Sequence, residues 1–246
     1  MSVIWTLTGN SGACDLVLIK NKSFLNGLGM EVHLRTKIQT WWSYIEAAAL
    51  QIGDSILEVK GGKDATYWIN QEEGPQLENG AEFSLSGYKV HFKRTNGHQH
   101  RYRIDFGNGN VVAIEVFKDF VRMNVRAGNA DDFAGALGMM GHYPDGKLVG
   151  RDGKTVIKDT DAMGLEWQVV PGDGPMLFHD AGVGVHHPKK CVMPTDTKET
   201  KKRRLGESMI TQEDAEEACA RVSEEEFDTC VFDVLATNDK EMAGSY

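Results

Sequence analysis

The chain has 246 residues, 41% of them apolar, which is enough to bury a hydrophobic core without a metal or a disulfide. Its formal net charge of -9 argues against nucleic-acid binding, because such a surface needs an excess of Lys and Arg on at least one face. No run approaches the roughly 18 consecutive apolar residues that span a bilayer, so we predict a globular protein without a membrane span. The first residues lack the pattern of a signal peptide, which fits an intracellular protein or a mature piece of a processed one.

Four short runs near the start of the chain indicate β-strands: "CDLVLIK", "MEVHLRT", "SYIEAAALQIG" and "SILEVKG". Glycines separate them at a regular spacing, which favours a β-sandwich or barrel over alternating strands and helices. The alanine-rich third run is also compatible with the start of a helix. We interpret it as a strand because Gly53 and Asp54 follow at once and β-like character resumes in "SILEV".

The middle of the chain predicts an antiparallel meander. Apolar and polar residues alternate strictly in "YKVHFKR" and "RYRIDF", as in half-buried strands, with Tyr102, Ile104 and Phe106 facing inward in the second run. Asn-Gly pairs lie between these runs and before "VVAIEVF", and such pairs readily adopt the positive φ angles of tight turns. The run "VRMNVR" continues the meander after a turn at Lys118 and Asp119.

A stretch rich in glycine and aspartate follows, "DDFAGALGMMGHYPDGKLVGRDGKT". It is not a phosphate-binding loop, because no hydroxyl residue follows Gly146 and Lys147 as that motif requires. It also lacks the alternating aspartates of an EF-hand. Two interpretations stay open, a pair of Asp-Gly turns or a calcium site in which Asp145 and Asp152 supply oxygen ligands.

The C-terminal quarter predicts two short helices, at about 212–222 and 224–235. Thr211–Asp214 and Ser223–Glu226 both have the pattern of a capping box, in which a hydroxyl and a carboxylate satisfy the free N–H groups of a helix start. The preceding segment, which contains the basic run 201–204, is polar and without periodicity, as expected of a solvated linker.

The four cysteines are widely spaced, which suits two disulfides better than a zinc cluster. Cys219 and Cys230 fall in the two predicted helices, so a disulfide between them would join a helical hairpin. Cys14 and Cys191 then remain as the second pair. Four buried thiols of a cytosolic protein are the alternative.

In order along the chain, three motifs resemble the von Willebrand factor type D domain. "GACDLVLI" is similar to the opening strand of that family, "FAGALGMMGHY" to its G-L-x-G-N-[FY] signature, and "RDGKTVIKDTDAMGLEWQV" to the acidic loop that follows. The resemblance covers roughly residues 12–170, and the Cys-containing tail is similar to a helical segment that often follows such domains. It implies an extracellular protein with disulfides.

The resemblance also implies a calcium site, which maps onto Asn21, His142, Asp145 and Asp152. Two of these ligands depart from the family pattern, and the imidazole of His142 is a poor partner for a hard ion. The cysteines of the family signature are absent here, so its disulfide-linked multimers are not implied. Asn21 also begins the sequon "NKS", and a glycan and a calcium ion on this side chain would exclude each other.

Trp41 and Trp42 are candidates for an aromatic platform that binds a sugar or a protein partner, although packing of one ring with partial exposure of the other is the alternative. His91, His98 and His100 lie near one hairpin, where a transition-metal site competes with ordinary exposed turn histidines. The same two interpretations apply to His186 and His187. Neither G-x-S-x-G nor H-E-x-x-H occurs, so we expect no enzyme, and a hydrolase that uses the histidine-rich hairpin is the weakest hypothesis.

These observations predict a mainly β protein, an antiparallel β-sandwich with a small C-terminal helical hairpin. The expected domains are a type D-like β domain at 1–180, a linker at 181–207 and a disulfide-linked hairpin at 208–246. The expected function is a non-catalytic extracellular module for adhesion or matrix assembly, with a protein or glycan partner and calcium as the candidate cofactor. The alternative is a structural subunit or lipid-carrier module of a larger secreted assembly, which an exposed apolar groove would favour.

Overall fold

The structure is a computed structural model, and it describes residues 2–5, 12–39, 42–142, 147–172, 174–181, 190–193 and 210–246. Two antiparallel sheets of six strands each pack against one another. The predicted β-sandwich is therefore confirmed. The strands are β1 (Ser2–Trp5), β2 (Asp15–Asn21), β3 (Met30–Gln39), β4 (Trp42–Ile52), β5 (Ser55–Lys60), β6 (Tyr67–Ile69), β7 (Glu72–Glu73), β8 (Glu82–Leu85), β9 (Tyr88–Asn96), β10 (Gln99–Gly107), β11 (Asn110–Phe117) and β12 (Phe120–Arg126).

The first sheet has the strand order β2-β3-β4-β5-β6-β7 and is a meander of consecutive strands. The alanine-rich run forms β4, as predicted, and pairs with β3 from Met30–Ile52 to Gln39–Trp42. A strand suits this run because small alanines on the outer face leave room for the larger charged residues of the neighbouring strands.

The second sheet has the order β1-β12-β11-β10-β9-β8. The predicted meander is confirmed: Asn108 takes a positive φ of 52° in the turn before β11, and Lys118 takes one of 53° before β12. The edge position beside β12 is occupied by β1, which comes from the first residues of the chain.

The core lies between the sheets and follows the predicted alternation. Leu18, Leu34 and Leu50 of the first sheet are fully buried in the same cluster as Phe92 and Tyr102 of the second. The hydroxyl of Tyr102 donates to the carbonyl oxygen of Ala65 at 2.7 Å, so this large ring is buried with its polar atom satisfied.

Short helical segments lie outside the sheets: α1 (Phe24–Gly27), α2 (Thr160–Glu166), α3 (Gln212–Cys219) and α4 (Glu224–Thr237), with 3-10 turns at Asp131–Phe133 and Lys240–Ser245. Two helices were predicted at the C-terminus and are present, but α3 ends at Cys219 and α4 continues to Thr237. None of the helices in the described part of the chain is both long and apolar enough to cross a membrane.

One of the two predicted capping boxes is present. The Thr211 hydroxyl accepts from the N–H of Asp214, whose carboxylate accepts from the N–H of Thr211. The second prediction was wrong, because the Ser223 hydroxyl makes no cap bond to the backbone and donates instead to the Glu226 carboxylate. The other carboxylate oxygen of Glu226 binds a guanidinium of the second sheet, that of Arg122.

The C-terminal helical unit, α3, α4 and the turn at 240–245, packs directly on the second sheet. Its core includes Ala215, Val231, Val234 and Met242 and continues into Phe117 of β11, with Phe120 of β12 packed against it. The helical unit therefore shares a hydrophobic interface with the sandwich.

Both predicted disulfides are present, Cys14–Cys191 and Cys219–Cys230. The first joins the start of β2 to a segment 177 residues later, and the second joins α3 to α4 across 11 residues. Of the predicted linker at 181–207, only Ala181 and residues 190–193 belong to the described part of the chain.

Candidate functional site

The edge of β2 is closed by two later loops. The backbone of Lys20 pairs in both directions with that of Leu137, and Met139 donates its N–H to the carbonyl oxygen of Val17. Val17 in turn donates its N–H to the carbonyl oxygen of Trp167 at 2.7 Å. The loop that contains Leu137 and Met139 and the later loop that contains Trp167 therefore lie side by side along β2.

A cleft of about 540 Å³ opens at the end of β2 beside these loops. This volume lies within the range of roughly 300–1,000 Å³ that is typical of ligand pockets. Its described lining residues are Lys20, Asn21, Lys22, Ser23, Gly135, Leu137, Arg151 and Trp167. The charged members of this set are all cationic, and we call this feature the cationic cleft.

Lys20 is held in place at one wall by a partly buried ion pair. Its Nζ lies 3.1 Å from Oε2 of Glu31, and Oε1 of Glu31 lies 2.9 Å from Nε2 of His33. Burial works to raise the pKa of Glu31, but the hydrogen bond and charge of His33, together with Lys20, outweigh burial and lower that pKa. Glu31 is thus a stable anion that fixes the position of the Lys20 ammonium.

Lys22 lies in the turn that follows β2. Its side chain is exposed and forms no ion pair with any residue that the structure describes. Ser23 is also exposed, and its hydroxyl donates to Oδ1 of Asn21 at 2.9 Å. The outer wall of the cleft thus presents an ammonium group and a hydroxyl to solvent.

Arg151 and Trp167 form the far wall. The guanidinium of Arg151 donates to the backbone carbonyl oxygens of Glu166, at 2.7 Å, and Gln168, and it lies 5.4 Å from the centre of the Trp167 ring. Trp167 is buried and donates its Nε1–H to the carbonyl oxygen of Val149 at 2.9 Å. These bonds hold the guanidinium in one orientation beside the cleft.

Asn21 lies in the cleft, as one of the residues implied for calcium, but its side chain is already committed. It is 2% exposed, its Oδ1 accepts from the N–H and the hydroxyl of Ser23, and its Nδ2 donates to the carbonyl oxygen of Asp132 at 3.2 Å. An N-glycan is attached through Nδ2, so a glycan on Asn21 is incompatible with this folded arrangement.

The other residues implied for calcium do not complete a site in the described part of the chain. Both carboxylate oxygens of Asp152 are used within its own turn, where they accept from the N–H groups of Lys154 and Thr155 and from the Thr155 hydroxyl. The Thr155 hydroxyl, with the two N–H groups, lowers the pKa of Asp152 to about 2. His142 pairs through its backbone with Lys147, and Asp145 lies outside the described residues.

Among the described residues, no group of three or more His, Cys, Asp or Glu side chains is arranged to hold a metal ion. The cations around Asn21 add a further obstacle, because they repel Ca²⁺. The residues that are described therefore do not fit a calcium ion.

The predicted aromatic platform is not available at Trp42. This side chain is 4% exposed and packs between the sandwich and the helical unit, where it stacks on Phe120 with ring centres 6.0 Å apart and also contacts Tyr44. Trp42 therefore contributes to packing, and Trp41 lies outside the described residues.

The histidines near the β9–β10 hairpin have separate environments. His100 is fully buried, its Nε2 contacts the carbonyl oxygen of Lys63 at 3.1 Å, and burial lowers its pKa. His91 pairs with Glu82 at 2.8 Å, while His98 is exposed. His186 and His187 lie outside the described residues.

The structure also shows charged pairs that the sequence did not predict, on the outer face of the first sheet. A stretch of chain at 174–181, here called the covering segment, lies over this face. Through Asp180 it binds Arg35, which also binds Asp15, and through His179 it binds Glu58 at 2.9 Å. The sequence held one signal for this cluster, the run "MEVHLRT", which places three charged or polar residues on one face of β3.

Comparison with known proteins gives no assignment for this chain. No model of a known protein family matches it, and no curated protein matches it significantly.

Proposed function

We propose that this protein is a non-catalytic extracellular binding module that serves adhesion or matrix assembly, similar in kind to a von Willebrand factor type D domain. The observation that carries the proposal is the cationic cleft, which has the volume of a ligand site and opens at the edge of a disulfide-linked β-sandwich. Its walls come from three distant parts of the chain, and backbone pairing along β2 holds them in place.

The two disulfides support an extracellular location. Disulfides persist in oxidising compartments and are rare in the cytosol, where thiols are kept reduced. Cys14 is fully buried, and Cys219 and Cys230 are also fully buried, so these bonds are structural parts of the fold.

The environment of His179 agrees with a non-catalytic role for this histidine. His179 is aligned by Glu58 and stacks on Trp68 with ring centres 4.1 Å apart, but among the described residues its side chain hydrogen-bonds only to Glu58. A nucleophile would have to lie within hydrogen-bond reach of this imidazole for the pair to act in catalysis. The contacts favour a role for the pair in fixing the covering segment.

We place the carrier function second because the cavity beneath the helical unit is small. The cavity between the sandwich and the helical unit, lined by residues such as Trp42, Phe117, Phe120 and Met242, has a volume of about 50 Å³. Since one water needs roughly 10–15 Å³ by this measure, the cavity has room for a few waters and not for an acyl chain.

The first test is a peptide map of the protein isolated without reductant, followed by a binding screen. We expect both disulfides in the map and saturable binding to at least one immobilised extracellular polymer, from a panel of polysaccharides and matrix proteins, at physiological ionic strength. Four free thiols would remove the extracellular part of the proposal. Failure to bind any polymer of the panel would remove the adhesive function.

A further inference from the structure

We infer that the cationic cleft binds the sulfate or carboxylate groups of an acidic extracellular polysaccharide. This inference rests on the proposed function and gives its ligand a chemical class. The starting point is charge: Lys20, Lys22 and Arg151 line one cleft on a chain whose formal net charge is -9. A local group of cations on an acidic protein is suited to an anionic partner that contacts this region and avoids the rest of the surface.

The cations have different roles within the cleft. Lys22 is exposed, so it can meet an incoming anion directly. Lys20 is tethered to Glu31, and Arg151 is tethered to two backbone carbonyls, so both are already ordered before a ligand arrives. Binding to pre-ordered groups avoids part of the entropy that is otherwise lost when long side chains become fixed.

The shape of the cleft suits an extended polymer. Its volume of about 540 Å³ is far larger than a lone sulfate or carboxylate needs. Gly135 forms part of one wall, and no atom lies within 4 Å of the position that a Cβ would occupy there. A bulky chain can therefore pass this wall, while the exposed Ser23 hydroxyl, whose proton is donated to Asn21, can accept hydrogen bonds from sugar hydroxyls.

A polysaccharide is favoured over an acidic peptide because of the state of the β2 edge. Extended peptides commonly bind by adding a strand to an exposed sheet edge. Here the edge of β2 is already paired with the backbones of Leu137, Met139 and Trp167, so strand addition is blocked at this site.

The background charge does not prevent such binding at physiological salt. Interactions between exposed charges are largely screened beyond a Debye length of about 8 Å at 0.15 M ionic strength. Within the cleft Glu31 offsets the charge of Lys20, so the exposed ammonium of Lys22 supplies the main attraction, and we expect affinity to fall as salt is raised.

The test compares two charge reversals of equal size on exposed lysines. Lys22→Glu changes the cleft, and Lys93→Glu makes the same change on β9 of the second sheet, where Lys93 is also exposed. Affinity of the whole oxidised protein is measured by titration calorimetry for four probes: heparin for sulfate, polygalacturonate for carboxylate, neutral dextran, and polyglutamate as an acidic peptide. Circular dichroism checks that both variants fold.

We expect heparin or polygalacturonate to bind, with affinity reduced about tenfold by Lys22→Glu and about twofold or less by Lys93→Glu. The tighter of the two polymers identifies sulfate or carboxylate as the recognised group. Equal losses in both variants would overturn the inference, because only net charge would then matter, and so would polyglutamate binding as tightly as the sugars. Binding to neutral dextran alone would overturn the inference while leaving the proposed function intact.

Discussion

The outer faces of the two sheets carry similar charged pairs in different surroundings. On the first sheet, Arg35 is 7% exposed and lies between Asp15 and Asp180, beneath the covering segment. On the second sheet, the Arg101 side chain is 45% exposed and pairs with Glu115 on a face that is open to solvent there. The helical unit covers one corner of that face, around Phe117 and Phe120.

Because of this difference in burial, losing one partner of an Arg–carboxylate pair should destabilise the fold more on the first sheet than on the second. An exposed pair contributes about 0–1 kcal/mol, because water and salt screen it. A buried pair contributes little net stability when intact, but removing one partner costs about 3–5 kcal/mol, because the other charge stays buried. The charges of the first sheet thus make its fold depend on the covering segment being in place.

The largest effect is expected from the disulfide that anchors the chain beyond the covering segment. Replacing Cys14 and Cys191 together by Ala should lower the free energy of unfolding by about 5 kcal/mol, because the bond closes a very long loop. The matched double variant of Cys219 and Cys230, which closes a loop of 11 residues, should lose about 3 kcal/mol. Urea unfolding measures both, and a larger loss for the shorter loop would contradict the comparison.

The next effect tests the covered and open faces directly. Arg35→Met should cost about 4 kcal/mol, because the carboxylates of Asp15 and Asp180 would stay on a covered surface without the guanidinium. Arg101→Met, the same substitution on the open face, should cost less than about 1 kcal/mol. Equal losses of stability in urea unfolding would show that burial does not distinguish the two faces.

A smaller effect concerns the covered corner of the second sheet and depends on pH. Burial raises the pKa of Asp233 in α4 to about 6, although a hydrogen bond from Tyr246 and the charge of Arg122 act in the opposite direction. The folded state therefore holds this proton more tightly than the unfolded state, whose ordinary value is 3.8. The contribution of this group to stability is complete below about pH 4 and is lost as pH rises through about 6.

Asp233→Asn keeps a neutral side chain at every pH, so it should remove this dependence. We expect the variant to gain about 2 kcal/mol over the wild type between pH 4 and pH 7. Thermal unfolding of both proteins across this range provides the measurement, and other carboxyl groups cancel in the difference. A constant difference between pH 4 and pH 7 would refute the role of Asp233.

The smallest effect on stability is expected at Lys118, beside the interface between the second sheet and the helical unit. Lys118, in the β11–β12 turn, pairs with Asp239 and Glu241 of the helical unit, and its side chain is 29% exposed. Lys118→Met should therefore cost only about 0.5 kcal/mol in dilute buffer and less in 1 M NaCl, where the Debye length is about 3 Å. A large loss in the free energy of unfolding that does not change with salt would show that the Lys118 pairs behave like the buried pairs of Arg35.

The sequence by itself determined much of the local structure and the antiparallel succession of β9 to β12. Alternation in "YKVHFKR" and "RYRIDF" predicted which residues of β9 and β10 face the core, since successive side chains of a strand point to opposite faces. The Asn108-Gly109 pair predicted the turn before β11, and Thr211 with Asp214 predicted the start of α3. Both disulfides were also predicted, because two cysteines fell in adjacent helices and two remained. Apart from the pairing of Cys14 with Cys191, which followed by elimination, these signals are local and can be read without knowing the fold.

Only the tertiary structure decided which charged groups meet and where the cleft lies. Glu58 and His179 are 121 residues apart, and Arg35 and Asp180 are 145 residues apart. Lys22, Gly135 and Arg151 likewise belong to separate segments and line one cleft only because the two loops pair with β2. The same packing buried Trp42 and committed Asn21 to neighbouring groups. The physical reason is that burial and electrostatic partners depend on contacts between distant segments, which the spacing of residues along the chain does not specify.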